Sequence, residues 1–391
     1  MGGFSATIYK IAIASIGVGL AVMIISFLIM IGFQNTVTEK IYNFSAHLLV
    51  TKYTSNDTFE EAPLSLNNQL YNNFEEFGFI DHVQDYSHKA GLIKTDEEVL
   101  GIIFKGVSPR FDTVRFAPSM VEGRFIHFDD ESYSKEVLLS REIARKLNLS
   151  LNDDVIVHFF QNPPRVRRLR VVGIYETNLS EYYDNKFIIG DIRLIQRLNN
   201  WPDSLAGGME IFVTDEEKID DAENGVLQLM NYDMAVQKVS NKYIQVFDWL
   251  HLISRQVNIF LTIILLVVCV NMVSIILILI MERTQMIGLL KAFGSPNRLI
   301  RRIFAYHGIG IIVRGLLLGN ILGLGLCLIQ YYFKVIPLNP RDYYMSFVPI
   351  GWDWGVVLLL NLLTLTVVAL IIIIPTLVIS RVEPIKSIRF D

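Results

Sequence analysis

The sequence predicts a membrane α-helical protein, four transmembrane helices with a folded α+β domain inserted between the first two. Three observations carry this reading. Of 391 residues, 52% are hydrophobic and the mean hydropathy is positive, too apolar for an ordinary soluble enzyme, yet long stretches are too polar for a membrane. Four segments reach the roughly 20 apolar residues that about 30 Å of hydrocarbon requires. Lys and Arg gather at the flanks that alternation places on one side. The net charge of −4 is small and dispersed, which argues against a nucleic-acid partner.

Residues 11–33, 257–281 and 355–379 contain no charge, and 305–333 is interrupted only by His307 and Arg314. Uncharged runs of this length fit spans better than buried core helices. The first run exceeds the roughly 7–15 residues of a signal-peptide core, and residues 32–35 offer no small-x-small cleavage pattern, so a retained anchor is expected. The resulting division is a first transmembrane helix in 1–35, an inserted domain in 36–254, and a second span in 255–281. A helix and turn in 282–297 follow, then a third span in 298–333, an outer loop in 334–354, a fourth span in 355–380 and a tail in 381–391.

Orientation follows from charge beside the spans. Residues 282–302 carry Arg283, Lys291, Arg298, Arg301 and Arg302 against Glu282 alone, which marks that loop as cytoplasmic. Alternation puts Lys10 and the tail with Arg381, Lys386 and Arg389 on the same side, and the inserted domain outside. In the outer loop Lys334 and Arg341 are balanced by Asp342 and Asp353. Both cysteines, Cys269 and Cys327, fall inside spans, so no disulfide is expected in the inserted domain.

That domain reads as short strands at 47–53, 99–107, 154–160, 169–175, 186–189 and 209–213, with helical periodicity at 65–77, 140–147 and 219–230. Its length allows one α+β domain or two small ones divided near 118–134. No catalytic residues stand out. His127, Asp129, Asp130 and Glu131 cluster without any metal motif, so a solvated turn is expected and no metal. Gln161, Pro163, Pro164 and Arg165 open a basic stretch between two strands, either a solvated hairpin or an arm for a partner. Ile244, Phe247, Leu250 and Ile253, with Tyr243, Trp249 and His251 among them, suit an interfacial helix continuing into the second span.

The most specific local feature is residues 282–297. Gly294 suits a left-handed helix stop, Ser295 an N-cap and Pro296 the first residue of the next helix. Met286, Leu289, Leu290 and Phe293 form an apolar face bordered by Arg283 and Lys291, which on physics alone also fits a helix resting on anionic lipid. In the spans Gly315, Gly319 and Gly323 repeat at four, as do Ser15 and Gly19, for pairing between chains or packing within one. Arg314 calls for an internal polar contact, with Asn271, Asn320 or Asn361, or for a lipid or substrate head group.

The run from Glu282 through Gly294 resembles the motif after the second span of FtsX-like, MacB-type ABC transporter permeases, most nearly the lipoprotein-releasing LolC/LolE type. Gly19 and Gly32-Phe33 in the first span are similar to that family, as are Leu139-Ser140, Ala144, Lys146-Leu147, the stretch 170–175 and the terminal stretch 382–389. The resemblance implies an inner-membrane permease that passes ATP-driven motion to its periplasmic domain and releases lipoproteins to a carrier. It implies that Glu282, Arg283, Ile287, Gly288, Leu289, Leu290, Lys291, Phe293 and Gly294 form a coupling helix on a separate ABC ATPase. The sequence has no GxxxxGK[ST] motif, so no cofactor is expected in this chain, and ATP and Mg belong to that partner. A second permease, identical or homologous, membrane lipid and a periplasmic carrier complete the implied partners. The implied lipoprotein cavity, between the first and second spans of the paired permeases, involves Ile25, Ile29, Phe33, Phe260 and Ile264, and the implied carrier arm Gln161, Pro163, Pro164 and Arg165. The alternatives are a MacB-like efflux permease for peptides or small molecules, and a membrane-anchored sensor or scaffold without an ATPase.

Overall fold

The computed structural model describes residues 4–54, 61–95, 98–129 and 132–376. Asp130, Glu131 and the stretch 382–389 lie outside the described residues. In chain order the elements are α1 (Phe4–Ser45), β1 (Leu48–Lys52), β2 (Leu64–Ser65), α2 (Gln69–Asn72), β3 (Ile80–Lys94), β4 (Val99–Val107), α3 (Thr113–Phe116) and β5 (Met120–Gly123). Next come β6 (Glu136–Ser140), α4 (Arg141–Lys146), β7 (Asp154–Phe159), β8 (Arg165–Tyr175), β9 (Phe187–Asp191), α5 (Ile192–Asn199), β10 (Leu205–Ala206), β11 (Gly208–Val213), α6 (Ile219–Leu229), β12 (Met234–Lys238) and α7 (Val239–Lys242). The chain ends with α8 (Ile244–Glu282), α9 (Thr284–Ala292), α10 (Asn297–Phe333), α11 (Pro340–Tyr343) and α12 (Trp354–Thr376). Two compact units result, residues 37–247 with 339–346, and the remainder.

The first unit is α+β and is organised by β3. This strand pairs with β11 through its first half and β7 through its second, while β4 runs antiparallel along its second half and centre. β4 pairs with β9, β9 with β6, β6 with β8 and β8 with β7, so six strands close into a ring. Closure leaves those strands without open edges and creates an interior for alternate side chains. Ile93, Phe104, Ile188, Val137, Val171 and Val157, one from each strand, fill it. A Cβ on Gly190 would come 2.0 Å from Cζ of Phe104, so only glycine admits that ring. The other half of the sheet, β12-β1-β11-β3, packs Leu48, Val50, Val83 and Ile211 with Leu70 of α2 and Val226 of α6 into a second core. Local capping sets the helices: the Ser140 hydroxyl accepts from the Ile143 amide at the start of α4, and Asp191 caps α5, which ends at Asn200 in the left-handed conformation.

Two expectations for this domain need correction, and one strand was not expected. Residues 65–77 are not one helix. Asn68 caps α2 by accepting from the Tyr71 amide, which fixes a helix start inside the segment, and α2 stops at Asn73, whose side chain bonds the Glu76 carboxylate and not the backbone, before a 3-10 turn at Phe74–Glu76. No division falls at 118–134, since β5 pairs with β8 and both cores share β3. β3 itself went unforeseen because it buries Gln84, Asp85, Ser87 and Lys89, which hides strand alternation.

The second unit holds the apolar portions of α1, α8, α10 and α12, which among the described residues are the four helices long and apolar enough to cross a membrane. Gly315, Gly319 and Gly323 face α1 of the same chain. Cβ atoms there would lie 2.7 Å from Ile16, 2.8 Å from Leu20 and 3.2 Å from Ala21, so this stripe serves packing within the chain. Gly19 meets α8 in the same way, its added Cβ falling 2.4 Å from Cγ2 of Val268. Asn320 and Asn361 bond each other at 2.7 Å, joining α10 to α12, and Asn271 donates to Ser15 at 3.1 Å. Arg314 therefore does not engage these asparagines; its guanidinium lies 5.4 Å from the centre of the Tyr9 ring.

Candidate functional site

The segment between α8 and α10 is built around α9. Thr284 donates back to the Ile280 and Met281 carbonyls, closing the end of α8, and Gly294 adopts a φ of +85° that ends α9. The Ser295 amide bonds the Leu290 carbonyl, so Ser295 belongs to this stop. It does not cap α10: Pro296 occupies the cap position, its carbonyl accepting from Leu299 at 2.9 Å, and the helix begins at Asn297.

Position around α9 separates the residues expected there. Ile287 and Gly288 are buried, Ile287 inside the core made by α1, α8, α10 and α12. Leu290 and Lys291 are half-buried, while Glu282, Arg283 and Gly294 are exposed. Met286, Leu289 and Phe293, spaced at three and four on one face, point away from the chain, with Leu289 51% and Phe293 79% exposed. One turn thus anchors the helix inward and presents an apolar stripe outward.

Within one chain the expected cavity residues do not share a single cavity. A groove of about 550 Å³ runs between α1 and α8, lined by Ile11, Ser15, Val18, Val22, Ile263 and Val267 among others, and of the five expected residues it contains Ile264 alone. Ile25 and Ile29 line a different cavity of about 230 Å³ with Cys327 and Gln330. Phe33 packs edge-on against Trp249, and Phe260 is exposed. The cause is level along the helix: Ile29 and Phe33 fall five turns beyond Ile11 and Ser15 on the same stripe of α1, where the neighbours are α10 residues and Trp249 and no longer residues 263–268 of α8. Gly19, where an added Cβ would fall 2.4 Å from Cγ2 of Val268, marks the level at which α8 packs against the stripe and was the available signal.

In the inserted domain, Gln161, Pro163 and Pro164 sit in the five-residue connection between β7 and β8, and Arg165 begins β8. Because β7 also pairs with β3 up to Phe159, the hairpin is part of the barrel wall and not a free arm. Arg165 donates to the Arg197 carbonyl at 3.0 Å, and Arg168 pairs with Asp154 at 2.6 Å. Exposed Ile156, Phe160 and Val166 add apolar surface beside the connection.

A buried pair that sequence reasoning missed holds the end of α1. Lys105 Nζ donates to Glu210 at 2.6 Å and to the Phe44 carbonyl at 2.5 Å, and Gln84 supplies a second donor to Glu210 at 2.7 Å. A cation on the terminal carbonyls of a helix is favourable. Phe44 also stacks on Tyr183 at 4.0 Å, and Ser45 bonds the Tyr183 hydroxyl. One Lys and one Glu, each inside an otherwise apolar strand, were the available signal. No group of three or more His, Cys, Asp or Glu able to hold a metal occurs among the described residues.

Two family models match the chain in succession. The family model described as MacB-like periplasmic core domain matches residues 11–229, and that of the FtsX-like permease C-terminal region matches residues 258–384. The lipoprotein-releasing system transmembrane protein LolC of Neisseria meningitidis is 22% identical across 100% of this chain and 95% of its own length. LolE of Haemophilus influenzae is 21% identical across 97% of this chain and 93% of its own. Among solved structures, the periplasmic region of MacB from Actinobacillus actinomycetemcomitans aligns over 51% of this chain and 91% of that one, at 12% identity and a TM-score of 0.38.

Proposed function

This chain belongs to the family of FtsX/MacB-type permeases, close to LolC and LolE, and from that premise we propose that it is the permease subunit of an ABC transporter that releases lipoproteins from the inner membrane. In this reading four spans cross that membrane, both termini and α9 face the cytoplasm, and the inserted domain is periplasmic. The observation that carries the reading is the outward stripe of Met286, Leu289 and Phe293. A surface helix normally turns such residues inward, so their exposure beside an inward-anchored Ile287 fits docking on a cytoplasmic ATPase. ATP and Mg act in that partner, and a second permease completes the membrane unit.

Mechanism then rests on transmitted motion. α1 and α8 are single helices of 42 and 39 residues, and the ends of both belong to the inserted domain's compact unit. Lys105 fastens the last turn of α1 to the sheet through Phe44, so that displacement of the helix displaces the strand it is bonded to. Movement of this kind is a rigid-body switch driven by the ATPase state. The periplasmic carrier docks on the domain, with Gln161, Pro163 and Pro164 of the connection, Arg165 at the start of β8 and the nearby apolar residues as its contact.

The groove between α1 and α8 favours an acyl chain over a polar peptide or drug. Its lining is almost wholly aliphatic, and its one hydroxyl, on Ser15, already accepts from Asn271. A photo-crosslinking residue at Val18 or Val267 is expected to capture acylated lipoprotein in membranes containing the assembled transporter, and one at Ile29 to capture none. Capture from Ile29 alone, or of non-acylated cargo from Val18, would overturn the groove assignment.

A further inference from the structure

At the α9 end of α10, Arg301 and Arg302 head a cavity of about 220 Å³ whose other walls are Ala305 and Ile309 of the same helix and Ala369, Ile372 and Ile373 of α12. The cavity is cationic at one end and aliphatic along the rest. The Arg301 Nε is shielded from solvent yet meets no acceptor, and neither arginine has an ion-pair partner among the described residues. Burial, and then the positive charge of Arg301, hold the Lys291 ammonium below the usual lysine range, so a third cation shares this field. A buried donor without an acceptor is costly, and a guanidinium matches phosphate oxygens through two parallel bonds.

We propose that this cavity binds one anionic phospholipid, its phosphate on Arg301 and Arg302 and an acyl chain along Ala305, Ile309, Ile372 and Ile373. The aliphatic walls decide between a lipid and a soluble anion. Ile309 and Ile373 are exposed on helices long and apolar enough to span, so the cavity continues from the cationic mouth along surfaces suited to hydrocarbon. Pockets that combine basic residues with the sides of neighbouring transmembrane helices suit anionic head groups. The inference requires α10 and α12 to lie in a membrane and is independent of cargo and ATPase.

The test is native mass spectrometry of the delipidated full chain with phosphatidylglycerol or phosphatidylcholine of identical acyl chains. The wild type is expected to retain phosphatidylglycerol preferentially. R301Q/R302Q should weaken that retention roughly twenty-five-fold, from about fivefold per arginine near the membrane surface, with phosphatidylcholine unchanged. R301K/R302K keeps the charge and should retain more lipid than the glutamine pair. I309W, which fills the aliphatic wall and leaves the charge intact, should also lower retention, and it decides the matter if the arginine variants do not fold. Equal retention of both lipids by the wild type would overturn the proposal. So would displacement of the lipid by millimolar inorganic phosphate, or loss of a bound ATPase in R301Q/R302Q with phosphatidylglycerol binding intact.

Discussion

Replacing Lys105 by Met tests how the end of α1 is held. Lys105 and Glu210 are 1% and 2% exposed, and the ammonium donates to both the carboxylate and the Phe44 carbonyl. Removing it leaves Glu210 buried with Gln84 as its one remaining donor, and leaves the end of α1 without its cation. Breaking one partner of a buried pair costs about 3–5 kcal/mol. In a domain of this size about 1 kcal/mol corresponds to roughly 2–4 °C, so K105M should lower the domain's melting temperature by about 6–20 °C. In K105M/E210Q the stranded charge is gone, and only the Phe44 carbonyl lacks its donor, at about 1–3 kcal/mol. Pulse proteolysis of the full chain in urea reads these free energies. A loss below about 1 kcal/mol in K105M, or a double variant as damaged as the single one, would refute the claim that this pair anchors α1.

Other consequences follow from packing and charge. G19V forces a branched side chain into Val268 and should destabilise the detergent-solubilised protein by about 1–3 kcal/mol, whereas G19A/V268A, which removes the obstruction, should recover most of it; thermal melts compare them. Forked bonds from Arg124 hold the Glu136 carboxylate below its ordinary value of 4.5, so the unfolded state binds the proton more readily. Its contribution is present above that ordinary value and is lost as pH falls through the lower folded one. E136Q should therefore show a shallower loss of stability on acidification below about pH 4.5, and an unchanged slope would contradict the pairing.

The membrane part was legible because hydrocarbon thickness sets a length that 11–33 or 257–281 either meets or does not. The α9 segment was legible because Gly294 and Pro296 punctuate locally. The barrel was not, since closure depends on β3 serving β11 at one end and β7 at the other, a pairing invisible in a strand whose Gln84, Asp85 and Ser87 are polar. The grouping of cavity residues within one chain was out of reach for a related reason. Sequence spacing puts Ile25, Ile29 and Phe33 on the same stripe of α1 as Ile11 and Ser15, but the level along that stripe at which α8 packs is set by tertiary contacts such as Val268 against Gly19. Likewise nothing local says that Ile287 turns inward and Leu289 outward; that follows from the course of α9 after Thr284 closes α8.

The central claim is that α9 receives the ATPase, and L289D tests it most directly. Leu289 is half exposed and outside the core, so the substitution should leave the melting temperature within about 1 °C, unlike an acid at buried Gly288. Purification in mild detergent, with the bound P-loop ATPase quantified by mass spectrometry, is the measurement. A drop of at least about tenfold in co-purified ATPase, from placing a charge in an apolar contact, is the predicted result. Wild-type ATPase stoichiometry with undiminished lipoprotein release in L289D would contradict it.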